Sequence, residues 1–129
     1  MEALACVLHA EKDLRIEAVP VGEMSDDQVR VRIGAGGICG SDLHYYLHGG
    51  FGVVRVKQPI VLGHEVAGTV EAVGAKVTRV KPGDRIALNP SRPCGKCKFC
   101  LAGEQQHCAD MWFYGSAMRT PHSQGAFRE

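Results

Sequence analysis

Four cysteines between Cys94 and Cys108 constrain this chain more than any other feature; their spacing is C-x2-C-x2-C-x7-C. Disulfides across two intervening residues would close very small loops, and three such near neighbours cannot pair sensibly with one another. Four thiolates around one tetrahedral Zn2+ satisfy all of them at once, because the metal takes ligands from short turns and two-residue gaps provide such turns. A closed four-sulfur shell leaves no open position. Cys94, Cys97, Cys100 and Cys108 are therefore expected to form a structural zinc site. That site would fold a lobe, residues 89–109, with little apolar content of its own. Lys96 and Lys98 partly offset the net negative charge of four thiolates on one zinc. A disulfide framework, an iron–sulfur cluster and unliganded thiols stay open as other readings. His107, beside Cys108, reads as a surface residue rather than a substitute ligand.

With 129 residues, the chain has the length of one domain with one modest core. Hydrophobic residues make up 45% and charged residues 22%, an ordinary globular balance. The formal net charge of +1 gives no general attraction to nucleic acid or to an anionic membrane surface. No apolar run approaches the roughly 20 residues of a membrane span. The first residues, Met1 to Cys6, lack the charged and then apolar segments of a secretory signal. A cysteine-rich chain without an export signal implies a reducing, cytoplasmic setting.

Along the chain, short alternating segments predict strands over Ala3–His9, Leu14–Val19 and Gln28–Ile33. Gln28, Arg30 and Arg32 share one face of the third, expected to be the solvent face. Gly34 to Gly40 is glycine-rich, and Ser41-Asp42 can cap a short helix over Leu43–Leu47, stopped by Gly49-Gly50. Phe51–Gln58 reads as a hairpin or a mobile loop. Further strands are expected over Val66–Val73 and Arg85–Leu88, separated by the turn Lys81–Asp84. Gln124–Glu129 reads as a turn entering a strand. Many short strands with glycine or proline turns indicate a mainly β, partly open barrel with short helices and a cysteine lobe.

The run Gly34-Ala35-Gly36-Gly37-Ile38-Cys39 invites comparison with the dinucleotide fingerprint, but Cys39 stands where its last glycine belongs. The helix that follows is short, and no acidic residue closes a second parallel strand in the required place. The glycines instead allow a sharp turn that aims Cys39 inward. The stretch from Gly63 to Val77 places His64 and Glu65 side by side at the mouth of an apolar strand. A thiolate, an imidazole and a carboxylate from Cys39, His64 and Glu65 would suit zinc with an open position for water or substrate. On spacing alone, His64 is also readable as a core histidine.

The segments Gly63-His64-Glu65-x-x-Gly68-x5-Gly74-x-x-Val77 and Cys39-Gly40-Ser41-Asp42-Leu43-His44, with the cysteine lobe, resemble the zinc-containing medium-chain dehydrogenase/reductase superfamily. The resemblance runs from about Met1 to the end of the chain, and within the superfamily it points to the polyol dehydrogenase branch. It implies a GroES-like catalytic domain, Zn2+ at two sites, and NAD or NADP as hydride acceptor from a secondary alcohol of a polyol or sugar acid. Cys39, His64 and Glu65 would hold the catalytic zinc, and Asp42 would orient the His64 imidazole. Ser41 would accept the substrate hydroxyl proton and pass it, through the cofactor ribose, to His44 and solvent. Tyr45 and Phe113 would line the substrate pocket, although each also reads as a packing residue.

Cys6 is expected to be buried. His9, His48 and His122 are expected on the surface or in loops. The resemblance further implies that the GroES-like domain is incomplete here, that the nucleotide-binding Rossmann domain is absent, and that the full-length enzyme is a homo-oligomer assembled through that domain. Two other classes remain: a zinc-binding interaction module, suggested by Arg92, Lys96 and Lys98 around the cysteines, and a zinc-free quinone oxidoreductase.

Overall fold

The computed structural model describes residues 1–129. Its elements in chain order are β1 (Glu2–Ala10), β2 (Asp13–Pro20), β3 (Val29–Gly37), α1 (Gly40–His48), β4 (Gly50–Phe51), β5 (Val54–Arg55), β6 (Ile60–Val61), β7 (Glu65–Val73), β8 (Arg85–Ala87), β9 (Ser91–Arg92), α2 (Lys98–Leu101) and β10 (Trp112–Phe113), with a 3-10 turn at Gln105–His107. Two three-stranded antiparallel sheets, ordered β2-β1-β6 and β3-β7-β8, form the body. Two small ribbons, β4-β5 and β9-β10, are attached to it. The sheets do not close into a barrel, and the architecture is mainly β with short helices.

Strand β1 shows how the period of two builds the core. Ala5 and Val7 point to one side and pack with Val61. Leu8 points to the other and packs with Tyr45, Ile60, Leu62 and Ala117. Consecutive residues of β1 and β6 thus feed two clusters on opposite faces. The C-terminal segment continues the sheet: Cys6 N–H donates to Phe127 O at 2.9 Å and Glu129 N–H to Leu4 O at 3.0 Å.

Several expectations need correction. Most of the glycine run is strand rather than turn, because β3 extends through Gly37 with Ala35, Gly36 and Gly37 paired to Ala67, Val66 and Glu65. Ladder bonding to β7 outweighs the weak strand preference of glycine. The helix is capped by Cys39, not by Ser41-Asp42; Asp42 sits in the first turn, its Oδ2 accepting the Cys39 N–H at 3.0 Å. Strand β2 is an edge, and its apolar Leu14 and Ile16 are exposed rather than half-buried. Cys6 is half-buried. Residues 51–58 do begin as a hairpin, with Phe51 opposite Val54.

His122 is buried, not on the surface. It accepts the Lys57 N–H at Nε2 (3.0 Å), its Nδ1 lies 2.7 Å from Arg119 O, and its own N–H donates to Gln58 Oε1 at 2.7 Å. Gln124 Oε1 then accepts the Val61 N–H at 2.8 Å. These side chains fasten the segment after β10 across the edge of β6. No helix is long and apolar enough to cross a membrane.

Candidate active site and metal centres

The register of β3 and β7 assembles the first site. Gly37 lies opposite Glu65, so the two residues after Gly37 lie across from the two before Glu65. That places Cys39, at the start of α1, beside His64. Donor atoms of Cys39, His64 and Glu65 lie within 4.8 Å of one another. Ligands around tetrahedral zinc stand about 3.3–3.8 Å apart, a spacing that falls within this limit. His64 is buried, Cys39 half-buried and Glu65 exposed. The set therefore opens to one side.

Gly63, just before these residues, has φ +99 and faces the Phe127 ring so closely that a Cβ would collide with it. Only glycine accepts both conditions without strain. Phe127 thereby backs the turn that presents His64, and no pattern in the sequence marked it for that position.

Behind the imidazole lies Asp42, 3% exposed. Its Oδ1 is 3.8 Å from His64 Nδ1, too long for a direct hydrogen bond, and neither atom has another partner. Nδ1 facing the carboxylate leaves Nε2 as the atom that can join Cys39 Sγ and a Glu65 oxygen. A buried imidazole nitrogen and a buried carboxylate oxygen without partners, next to a thiol and a second carboxylate, fit a zinc ligand set with an orienting carboxylate behind it.

In front of the donors is a groove of about 750 Å3 whose walls include Ala35, Gly36, Val66, Leu88, Pro90 and Phe113. The Phe113 ring centroid lies 5.1 Å from that of His64. Ser41 sits on the first turn of α1, half-buried. His44 is one turn on and exposed, its ring 6.2 Å from Phe51. Tyr45 lies in the core, 2% exposed, and its hydroxyl oxygen accepts the Ala117 N–H at 3.0 Å. Of the two residues assigned to the substrate pocket, the structure brings Phe113 to the donor set and gives Tyr45 a packing position.

The second site is local. Cys94, Cys97, Cys100 and Cys108 have their sulfurs within 4.8 Å of one another, and none of the six cysteines of the chain is in a disulfide. Cys97 is the N-cap of α2, and the 3-10 turn ends at Cys108. Backbone N–H groups point at the sulfurs: Cys94 N–H to Cys108 Sγ at 3.2 Å, and Cys97 N–H to Cys94 Sγ at 3.3 Å. Backbone N–H groups of Cys100 and Ala109 lower the Cys97 thiol to about 6. Those of Lys96 and Cys97 lower Cys94. Burial pushes Cys100 up to about 12. Four converging sulfurs in a cradle of N–H donors fit a thiolate-bound metal. The ribbon β9-β10, where Trp112 pairs with Arg92 and Phe113 with Ser91, ties this lobe to the groove. His107 is exposed and outside the sulfur cluster.

Residues 25–129 match the model of the alcohol dehydrogenase GroES-like domain. The chain is 43% identical to a sorbitol dehydrogenase of Bacillus subtilis over 123 residues, covering 95% of this chain and 34% of that protein. It is 42% identical to an L-idonate 5-dehydrogenase (NAD(P)(+)) of Escherichia coli over 123 residues, covering 95% of this chain and 35% of that one. The crystal structure of L-idonate 5-dehydrogenase from Escherichia coli superposes with a TM-score of 0.92 at 40% identity, covering 99% of this chain and 36% of the other. The chain thus spans about a third of the length of the relatives it matches.

Proposed function

The chain belongs to the alcohol dehydrogenase GroES-like domain family, and from that premise we propose that it is the catalytic-domain portion of a zinc- and NAD(P)-dependent dehydrogenase. Its substrate is a polyol or sugar acid with a secondary alcohol, L-idonate ahead of sorbitol or xylitol. The observation that carries this reading is the meeting of Cys39, His64 and Glu65 within 4.8 Å, at a groove that Phe113 borders. The structural likeness to L-idonate 5-dehydrogenase supports the order of substrates.

Held by Cys39, His64 and Glu65, a zinc ion would supply Lewis-acid polarisation of the substrate hydroxyl, and NAD or NADP would supply the hydride acceptor. The chain's own residues do the rest. The Asp42 carboxylate fixes the orientation of His64 and, through the Cys39 N–H, the start of α1. Ser41 Oγ would receive the hydroxyl proton and pass it, through the cofactor ribose, to the exposed His44 ring, which releases it to solvent. Phe113 and the apolar groove walls keep water from the reacting carbon. Cys94, Cys97, Cys100 and Cys108 would hold a second, structural zinc. The full-length protein works in the cytoplasm as a homo-oligomer.

The test is turnover by the full-length protein of L-idonate, sorbitol and xylitol with NAD and with NADP, alongside zinc analysis. L-idonate should give the highest kcat/KM. A preference for sorbitol would overturn the substrate order, and no oxidation of any polyol or sugar acid would overturn the function.

A further inference from the structure

We propose that His44 and His48, on the exposed face of α1, form a separate chelating site for a divalent transition cation, and that its occupancy inhibits the enzyme. Residues four apart on a helix share a face. Their ring centroids are 6.0 Å apart with planes at 37°. Both rings are exposed, so water can complete the coordination and desolvation costs little. Imidazole nitrogen suits Zn2+, Ni2+ and Cu2+. Two histidines at this helical spacing are a recognised way of supplying two ligands from one face.

The backbone under the pair is held at both ends. Asp42 Oδ2 accepts the Cys39 N–H at the start. At the end Gly49, with φ 69, donates its N–H to Tyr45 O at 2.9 Å. Between them Tyr45 is fixed in the core. Only the two imidazole rotamers need to adjust, bringing the ring centroids to about 5 Å, the separation two nitrogens on one ion require. The charges nearby oppose one another: Arg55 donates to His48 O at 2.8 Å, while Glu11 packs beside Gly49. None of Cys39, His64 and Glu65 belongs to this pair, so the cation would add to the resident metal rather than replace it.

The inhibitory half rests on the proton-releasing role proposed above for His44. A cation on the His44 nitrogen occupies the lone pair that would accept the proton.

The experiment is calorimetric titration of Ni2+ into the full-length protein with its resident zinc in place, with zinc content measured before and after, and parallel turnover assays. One Ni2+ per chain should bind. His48→Gln should weaken it by about tenfold or more, and His107→Gln should leave it unchanged. His48→Gln should keep basal turnover while its half-inhibitory Ni2+ concentration rises by the same factor. Absence of Ni2+ binding, or undiminished binding in His48→Gln, overturns the site. Binding that leaves turnover untouched overturns the inhibitory role. If the full-length protein oxidised no alcohol, the calorimetry would still decide the site, while the dehydrogenase reading would fail separately.

Discussion

The cysteine lobe draws all its donors from the single stretch Cys94–Cys108, whereas Cys39, His64 and Glu65 meet only because β3 pairs with β7. The lobe offers four chemically identical ligands in a cradle of its own backbone N–H groups. The other set offers three different ligands, one buried, one half-buried and one exposed, with a carboxylate behind and a groove in front. The first arrangement would close on a metal, and its local chain would gain order from it. The second arrives preformed by the sheet and keeps one side open. Removing a metal should therefore cost structure in one place and chemistry in the other.

The largest effect is expected at the open set. His64→Ala in the full-length enzyme should lower kcat/KM by at least about 10^4-fold, about 5.5 kcal/mol of transition-state stabilisation, with the thermal midpoint little moved. A variant that stayed active would break the comparison at its catalytic end. Next comes Cys97→Ser, which should destabilise the protein by on the order of 3–5 kcal/mol and open the lobe to proteolysis between residues 94 and 108. Denaturant titration and limited digestion would read this, and an unchanged midpoint would show that the lobe folds without its metal. Asp42→Asn should reduce activity or zinc affinity at the open set by about 10–100-fold. Zinc retention in the lobe should be untouched, since the Asp42 carboxylate bonds the Cys39 N–H and faces the His64 ring, both outside the lobe.

The contrast also explains how much of each site was legible in the sequence. The lobe is local, so its spacing alone named the ligands and their geometry. Cys39 and His64 are separated by a helix and a hairpin, so residue chemistry offered their meeting as one reading and resemblance selected it; the physical cause, Gly37 lying opposite Glu65, is a property of pairing. The same pairing hid the true extent of β3, because glycines at 34, 36 and 37 look like a loop until a partner strand is present. Strands β1 and β3 were readable from alternation. The exposure of Leu14 and Ile16 was not, because alternation says which residues share a face and not whether anything covers it. His122 and Phe127 carried no motif. One is buried and hydrogen-bonded to Lys57, Gln58 and Arg119, and the other, half-buried, packs into the space a glycine leaves at Gly63.

The smallest expected effect is a pH dependence confined to the lobe. In the metal-free chain the Cys97 thiol is held down from 9.0 to about 6 by backbone N–H groups. Its thiolate contribution is complete above 9 and is lost as pH falls through about 6. Cys100, pushed up from 9.0 to about 12 by burial, acts in the opposite sense and must release a proton to bind metal at any lower pH. Zinc affinity of the lobe should therefore rise with pH above 6, and its slope should steepen by about one proton, tenfold per pH unit, below about 6. Chelator competition between pH 5 and 8 measures this, and a slope unchanged across pH 6 would deny the role of the N–H cradle at Cys97.

The most direct test of two independently built metal centres is the zinc content of full-length wild type, His64→Ala and Cys97→Ser, measured with their thermal midpoints. The account predicts two zinc ions per chain in wild type and one in His64→Ala with the midpoint kept, and a Cys97→Ser protein that loses the lobe metal together with stability. Two zinc ions retained in His64→Ala, or a midpoint that collapses with it while Cys97→Ser stays stable, would contradict it.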